Sequence, residues 1–206
     1  MDQKYSIHCT AFAGDQRIAS GELTQVALQT KLMIDQGTSL PVLIFNDTTS
    51  EQIEIDFRGT VDDVRHRSAL MARTNVPDPD SLQPSPKTHT GPGRPKLGVV
   101  AREVTLLPRH WEWLNGQPGG ASVALRKLVE QARRSNEKGD RIRKAQESTY
   151  RFMSVMAGNL PVFEEATRAL FAKHQERFNE LIAIWPTDIR DHTNRLAATV
   201  FEEVAG

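Results

Sequence analysis

An α+β fold is predicted by three features of the sequence. Short alternating apolar stretches near the start read as strands. A proline-rich stretch breaks the chain in the middle. Helical apolar spacing then runs through the last third. Residues 1–74 read as a small β-β-α-β-β-α unit. Ser6 to Ala13 alternates as a strand does, Gly14-Asp15-Gln16 signals a turn, and Arg17-Ile18-Ala19 returns. Leu23 to Gln36 carries Val26, Leu28, Leu32 and Met33 at helical spacings, with Gly37 placed to stop the helix. Val42 to Phe45 is strand-sized. Ile53, Ile55 and Phe57 alternate with Glu54, Asp56 and Arg58, the pattern of a half-buried fourth strand. Thr60 with Asp63 three residues later marks the next helix start.

Residues 75–95 form a linker with Pro77, Pro79, Pro84, Pro86, Pro92 and Pro95 and few apolar side chains. Such a stretch buries too little surface to offset its ordering entropy, so it is expected to be extended and disordered. Residues 96–134 read as strand, helix, glycine turn and helix. A polar stretch near Ser135 to Asp140 is expected to end that second helix. Residues 140–206 read as a helical bundle: one helix over Arg141 to Ala157, and one capped by Asn159 that carries Phe163, Ala166, Leu170 and Phe171. A third carries Phe178, Leu181, Ile182 and Trp185, and a last one, after Pro186, carries Ile189, His192, Leu196 and Val200.

Composition excludes several classes. No apolar run approaches the roughly 20 residues of a membrane span, and Met1-Asp2-Gln3-Lys4 does not open a signal peptide, so a cytoplasmic protein is expected. Cys9 is the single cysteine, which removes internal disulfides and multi-cysteine zinc sites. The six histidines show no i, i+4 pair, and there is no phosphate-binding glycine loop. Neither a catalytic residue, a metal site nor a cofactor is expected. The zero net charge conceals an asymmetry. Residues 87–144 hold 13 Lys+Arg against 5 Asp+Glu, and the remainder holds 13 against 21. A basic middle between acidic flanks points to a polyanionic partner, or to attraction between the parts of the chain.

The stretch Gly93-Arg94-Pro95-Lys96-Leu97 through Leu106-Leu107-Pro108, followed by Trp111, Leu114, Gly119-Gly120-Ala121-Ser122, Leu125, Arg126, Lys127 and Leu128, carries the functional argument. Pro108 suits the first turn of a helix. Gly119-Gly120 permits left-handed dihedrals, and Ser122 is placed to cap the second helix. Free N–H groups at that helix start suit a phosphate.

This strand-helix-helix segment resembles the ribbon-helix-helix family of DNA-binding proteins over about 40 residues. The resemblance implies a homodimer in which two strands pair and enter the major groove. DNA-contacting residues are then expected among Arg102, Glu103 and Thr105 of the strand, Gly120 and Ser122 at the second helix start, and Arg126 and Lys127 along it. By alternation Arg102 shares the inward face with Val100, Val104 and Leu106, which leaves Glu103 and Thr105 to face the groove. Upstream, Gly93-Arg94-Pro95-Lys96 resembles the core of an AT-hook, which adds Arg94 and Lys96 as a minor-groove arm. Through Thr10-Ala11-Phe12-Ala13-Gly14, the central segment and Tyr150-Arg151-Phe152-Met153, the whole chain is similar to a bacterial family of unknown function. The expectation is a dimeric DNA-binding regulator. The alternative is a structural or interaction protein that uses the same segment only to dimerise.

Overall fold

The computed structural model describes residues 7–74 and 102–202. The 75–95 linker, Arg94, Lys96 and the first part of the expected ribbon strand lie outside the described residues. The described part is mixed α+β. In order it comprises β1 (His8–Ala13), β2 (Gln16–Glu22), α1 (Leu23–Asp35), β3 (Val42–Asn46), α2 (Val61–Thr74), α3 (Pro108–Asn115), α4 (Gly120–Met156), α5 (Phe163–Phe171), α6 (Gln175–Ile182) and α7 (Thr187–Phe201). Residues up to 74 together with those from 139 onward make one compact unit, and residues 102–138 belong to a second.

In the first unit the sheet order is β2-β1-β3, antiparallel throughout. Gly14 takes a φ of 59° in the two-residue β1–β2 turn, as a type II′ turn requires. β1 is the central strand and is covered on both faces. Cys9 and Ala11 join Ala19, Leu23, Val26 and Ile44 in one cluster, while Phe12 and Phe45 enter the other. That alternation follows from the two-residue period of a strand. α1 ends in a Schellman motif: Gly37 N–H donates to the Ile34 carbonyl at 3.0 Å and Thr38 N–H to the Met33 carbonyl at 3.4 Å. At the start of α2, Thr60 N–H donates to Asp63 Oδ2 at 2.8 Å and Asp63 N–H to Thr60 Oγ1 at 3.2 Å, a full capping box.

The fourth strand expected at Ile53–Phe57 does not form. Asn46 N–H donates to the Glu51 carbonyl and Ile53 N–H to the Ile44 carbonyl, Phe45 and Gln52 make one bridge, and the chain then leaves the sheet. Ile53, Ile55 and Phe57 still pack on the α1 side of the core, so the alternation reported one-sided burial without a ladder. Leu32, expected inward on α1, is exposed, and the buried face of that helix is Leu23, Val26, Ala27, Thr30 and Lys31.

The sequence reading puts residues 1–74 and 140–206 in separate domains. The structure joins them through one core. Phe12 and Phe45 cluster with Phe152, Met153, Ala166, Leu170, Phe178, Ile182, Trp185, Ile189 and Val200. The Phe152 ring lies 5.4 Å from Phe12 and 5.1 Å from Phe45, centroid to centroid. The helix break expected at Ser135–Asp140 is absent, and α4 is continuous over 37 residues. Asn159 is not a helix cap either. α5 starts at Phe163 behind Val162, which holds a left-handed φ of 58° without a side-chain cap.

α5 ends in a second Schellman motif, with His174 N–H on the Ala169 carbonyl at 3.0 Å and Lys173 N–H on the Leu170 carbonyl at 3.2 Å. Here the left-handed position, φ 57°, is filled by Lys173. A side chain in that region is strained. Lys173→Gly is therefore expected to stabilise the protein by about 0.5–1 kcal/mol, less than the full strain because glycine also loosens the unfolded chain. Urea unfolding measures this as a higher midpoint at unchanged slope.

Candidate nucleic-acid interface

Residues 102–138 hold the described part of the candidate interface. Residues 102–107 are not assigned to a strand, and Leu107 is extended at φ −65°, ψ 148°. Arg102, Glu103 and Thr105 are all exposed, so the inward placement of Arg102 expected from alternation is not realised within this chain. Pro108 opens α3 at its first turn as expected. Leu114 of α3 is buried and Trp111 is half-buried, whereas Trp113 is 54% exposed. The turn to α4 depends on its two glycines. Gly119 and Gly120 hold φ of 87° and 74°, and a Cβ at Gly119 would lie 3.1 Å from the Val123 side chain.

α4 begins at Gly120, so Ser122 sits inside the first turn and not at the cap. Its backbone carbonyl accepts Arg126 Nε at 3.1 Å. Arg126, Lys127, Glu130, Gln131, Arg134 and Ser135 line a shallow concavity along the helix. Of the expected DNA-contacting residues, the structure thus gathers Arg126 and Lys127. Glu103, Thr105 and Arg102 stay on the 102–107 segment, which carries no assigned secondary structure. Glu130 accepts Arg134 Nε at 3.1 Å and lies 3.6 Å from Arg133 Nη2, so part of the basic run is paired within its own helix.

Sequence reasoning missed a second polar cluster, in the other unit. Thr10 Oγ1 donates to Asp47 Oδ1 at 2.6 Å and lies 3.0 Å from Ser20 Oγ. Arg195 Nη2 shares its two N–H groups among Asp47 Oδ1 at 3.0 Å, Thr10 Oγ1 at 3.1 Å and His192 Nδ1 at 3.1 Å. The cluster ties β1, β2, the turn after β3 and α7 together. Thr10 is wholly buried, so no substrate reaches its hydroxyl. Burial, with the Asp47 charge adding to it, pushes the neighbouring Cys9 thiol up to about 12, which keeps it protonated and unreactive. The arrangement holds elements together and offers no nucleophile. Asp47 and Arg195 are 148 positions apart, so no local motif could have revealed the pair.

Among the described residues no group of three or more His, Cys, Asp or Glu is placed to hold a metal ion, and no helix is long and apolar enough to cross a membrane. The family model described as "uncharacterized protein conserved in bacteria" (DUF2239) matches residues 8–197. The chain belongs to the DUF2239 family. That match runs from β1 into α7 and so takes in both compact units of this DUF2239 chain. No curated protein and no solved structure matches it.

Proposed function

We propose that this DUF2239 protein is a dimeric DNA-binding protein, a regulator in which residues 96–134 act as a ribbon-helix-helix module. One observation carries the reading. Among the described residues of 102–138 the only buried apolar side chains are Leu114 and Ala124, while Val104, Leu107, Trp113, Leu128 and Val129 are 42–63% exposed. A segment with that much bare apolar surface, and with 102–107 outside any described strand, calls for a partner. A second copy supplies both a strand to pair with 102–107 and an apolar face for α4. On α4, Ala121, Ala124, Leu125, Leu128 and Ala132 recur at helical spacings, which leaves Arg126, Lys127, Arg133 and Arg134 on other sides of the helix. Dimerisation through the apolar stripe therefore leaves the cations available to phosphate.

Sedimentation and mobility shift on a mixed duplex pool test this together. The wild type is expected to sediment as a dimer. Its affinity for duplex is expected to fall by more than about tenfold between about 50 and 200 mM salt, because phosphate contacts release counterions. Leu128→Glu is expected to give monomers that lose DNA. Replacing Arg94, Lys96, Arg126 and Lys127 with alanine is expected to leave the dimer intact and abolish the shift. A dimer that binds no duplex even at low salt overturns DNA binding and favours the interaction-protein reading, to which the Glu130–Arg134 pairing lends support.

A further inference from the structure

The continuity of α4 changes what its cations can do. A break at Ser135–Asp140 would have separated Lys138 from Lys127 and Arg134. In one helix they recur at spacings of seven and four, on one face, over about 16 Å at a rise of about 1.5 Å per residue. Residues 131–139 are exposed at every position. The same face carries Glu130, whose carboxylate bonds Arg134 and approaches Arg133 from within the concavity lined by Arg126, Lys127, Gln131 and Ser135.

We propose that the Lys127–Arg134–Lys138 face is a track for the sugar-phosphate backbone of duplex DNA, and that Glu130 attenuates it by competing with phosphate for Arg133 and Arg134. This rests on the DNA-binding reading above and extends it past the end of the ribbon-helix-helix segment. Helix i,i+3 and i,i+4 pairs at the surface are weak, so Glu130 lowers the hold of Arg133 and Arg134 on phosphate by a small factor and does not block it. Each additional phosphate that the protein neutralises steepens the salt dependence of binding by about one in slope, and each one released makes it shallower by the same amount. Glu130 therefore sets affinity without reading sequence.

The test uses the full-length protein and fluorescence anisotropy on duplexes of random sequence at several salt concentrations. Glu130→Gln is expected to bind about threefold tighter at low salt, with a slope steeper by about one. Lys138→Glu is expected to bind about tenfold more weakly with a shallower slope. A gain in the glutamine variant cannot come from misfolding, and sedimentation checks that both variants remain dimers. Wild-type binding with neither variant altered overturns the track while leaving DNA binding by the rest of the segment intact. Absence of wild-type binding overturns both readings. An equal gain by Glu130→Gln toward polyglutamate overturns the duplex track in favour of an acidic protein partner.

Discussion

Phe152→Ala is expected to cost about 4 kcal/mol of folding stability. The Phe152 side chain is wholly buried. Its ring centroid lies 5.4 Å from Phe12, 5.1 Å from Phe45 and 4.4 Å from His192. Truncation removes that ring, loses three aromatic contacts and leaves a hole that Phe12 and Phe45 cannot fill, because the strands that carry them are fixed by their ladders. A domain has only about 5–15 kcal/mol in total, so the variant is expected to be near half-unfolded in mild denaturant. Urea unfolding followed by circular dichroism and by tryptophan fluorescence reads the effect. Phe171→Ala on the neighbouring α5, where the ring is half exposed, serves as the control and is expected to lose about 1 kcal/mol or less. Because Phe152 joins the sheet to the last helices, the loss is expected in one transition that includes both. Two separate transitions would mean that the sheet and the helices fold independently.

Much of this fold could be read from local signals. Gly14 marked the hairpin, Gly37 the stop of α1, and Thr60 with Asp63 the start of α2, because each is a backbone demand met within four residues. What could not be read depends on partners far along the chain. Phe12 looked like part of a self-contained N-terminal unit, yet its neighbours are Phe152 and His192, and alternation alone never names the opposite layer. The same limit explains Ile53, Ile55 and Phe57, whose one-sided burial is real although the chain there makes a single bridge, Gln52 to Phe45 of β3. The polar run Ser135–Asp140 was misleading for another reason. It has no apolar periodicity to identify a helix, and the pairs Glu130–Arg134 and Asp140–Arg143 support the helix from its surface instead. Within the candidate interface, the chemistry of Arg126 and Lys127 was legible, but their alignment with Lys138 required knowing that α4 does not stop.

Acid is expected to destabilise the protein through His192, by about 2 kcal/mol between pH 7 and pH 5. His192 lies buried against the Phe152 and Phe12 rings. Arg195 can only donate, so its bond to Nδ1 fixes the proton on Nε2, and that N–H has no hydrogen-bond partner among the described residues. Burial first, and then the guanidinium of Arg195, disfavour a second proton, while Asp47 opposes them more weakly and Arg17 adds to them. The result is a pKa lowered to about 4. A folded value below the ordinary 6.5 means that both states are neutral above that pH and the residue contributes nothing there. As pH falls through 6.5 the unfolded chain takes up a proton that the folded one refuses, so stability drops by about 1.4 kcal/mol per pH unit. The drop ends near pH 4, where the folded state also protonates, after a total of about 3 kcal/mol. His192→Phe removes the titrating group while keeping an aromatic ring between Phe12 and Phe152. Urea midpoints of this variant are expected to stay nearly level from pH 7 to pH 5 while the wild type declines. Parallel decline of the two proteins would assign the acid sensitivity to other groups and place His192 among the inert residues of the core.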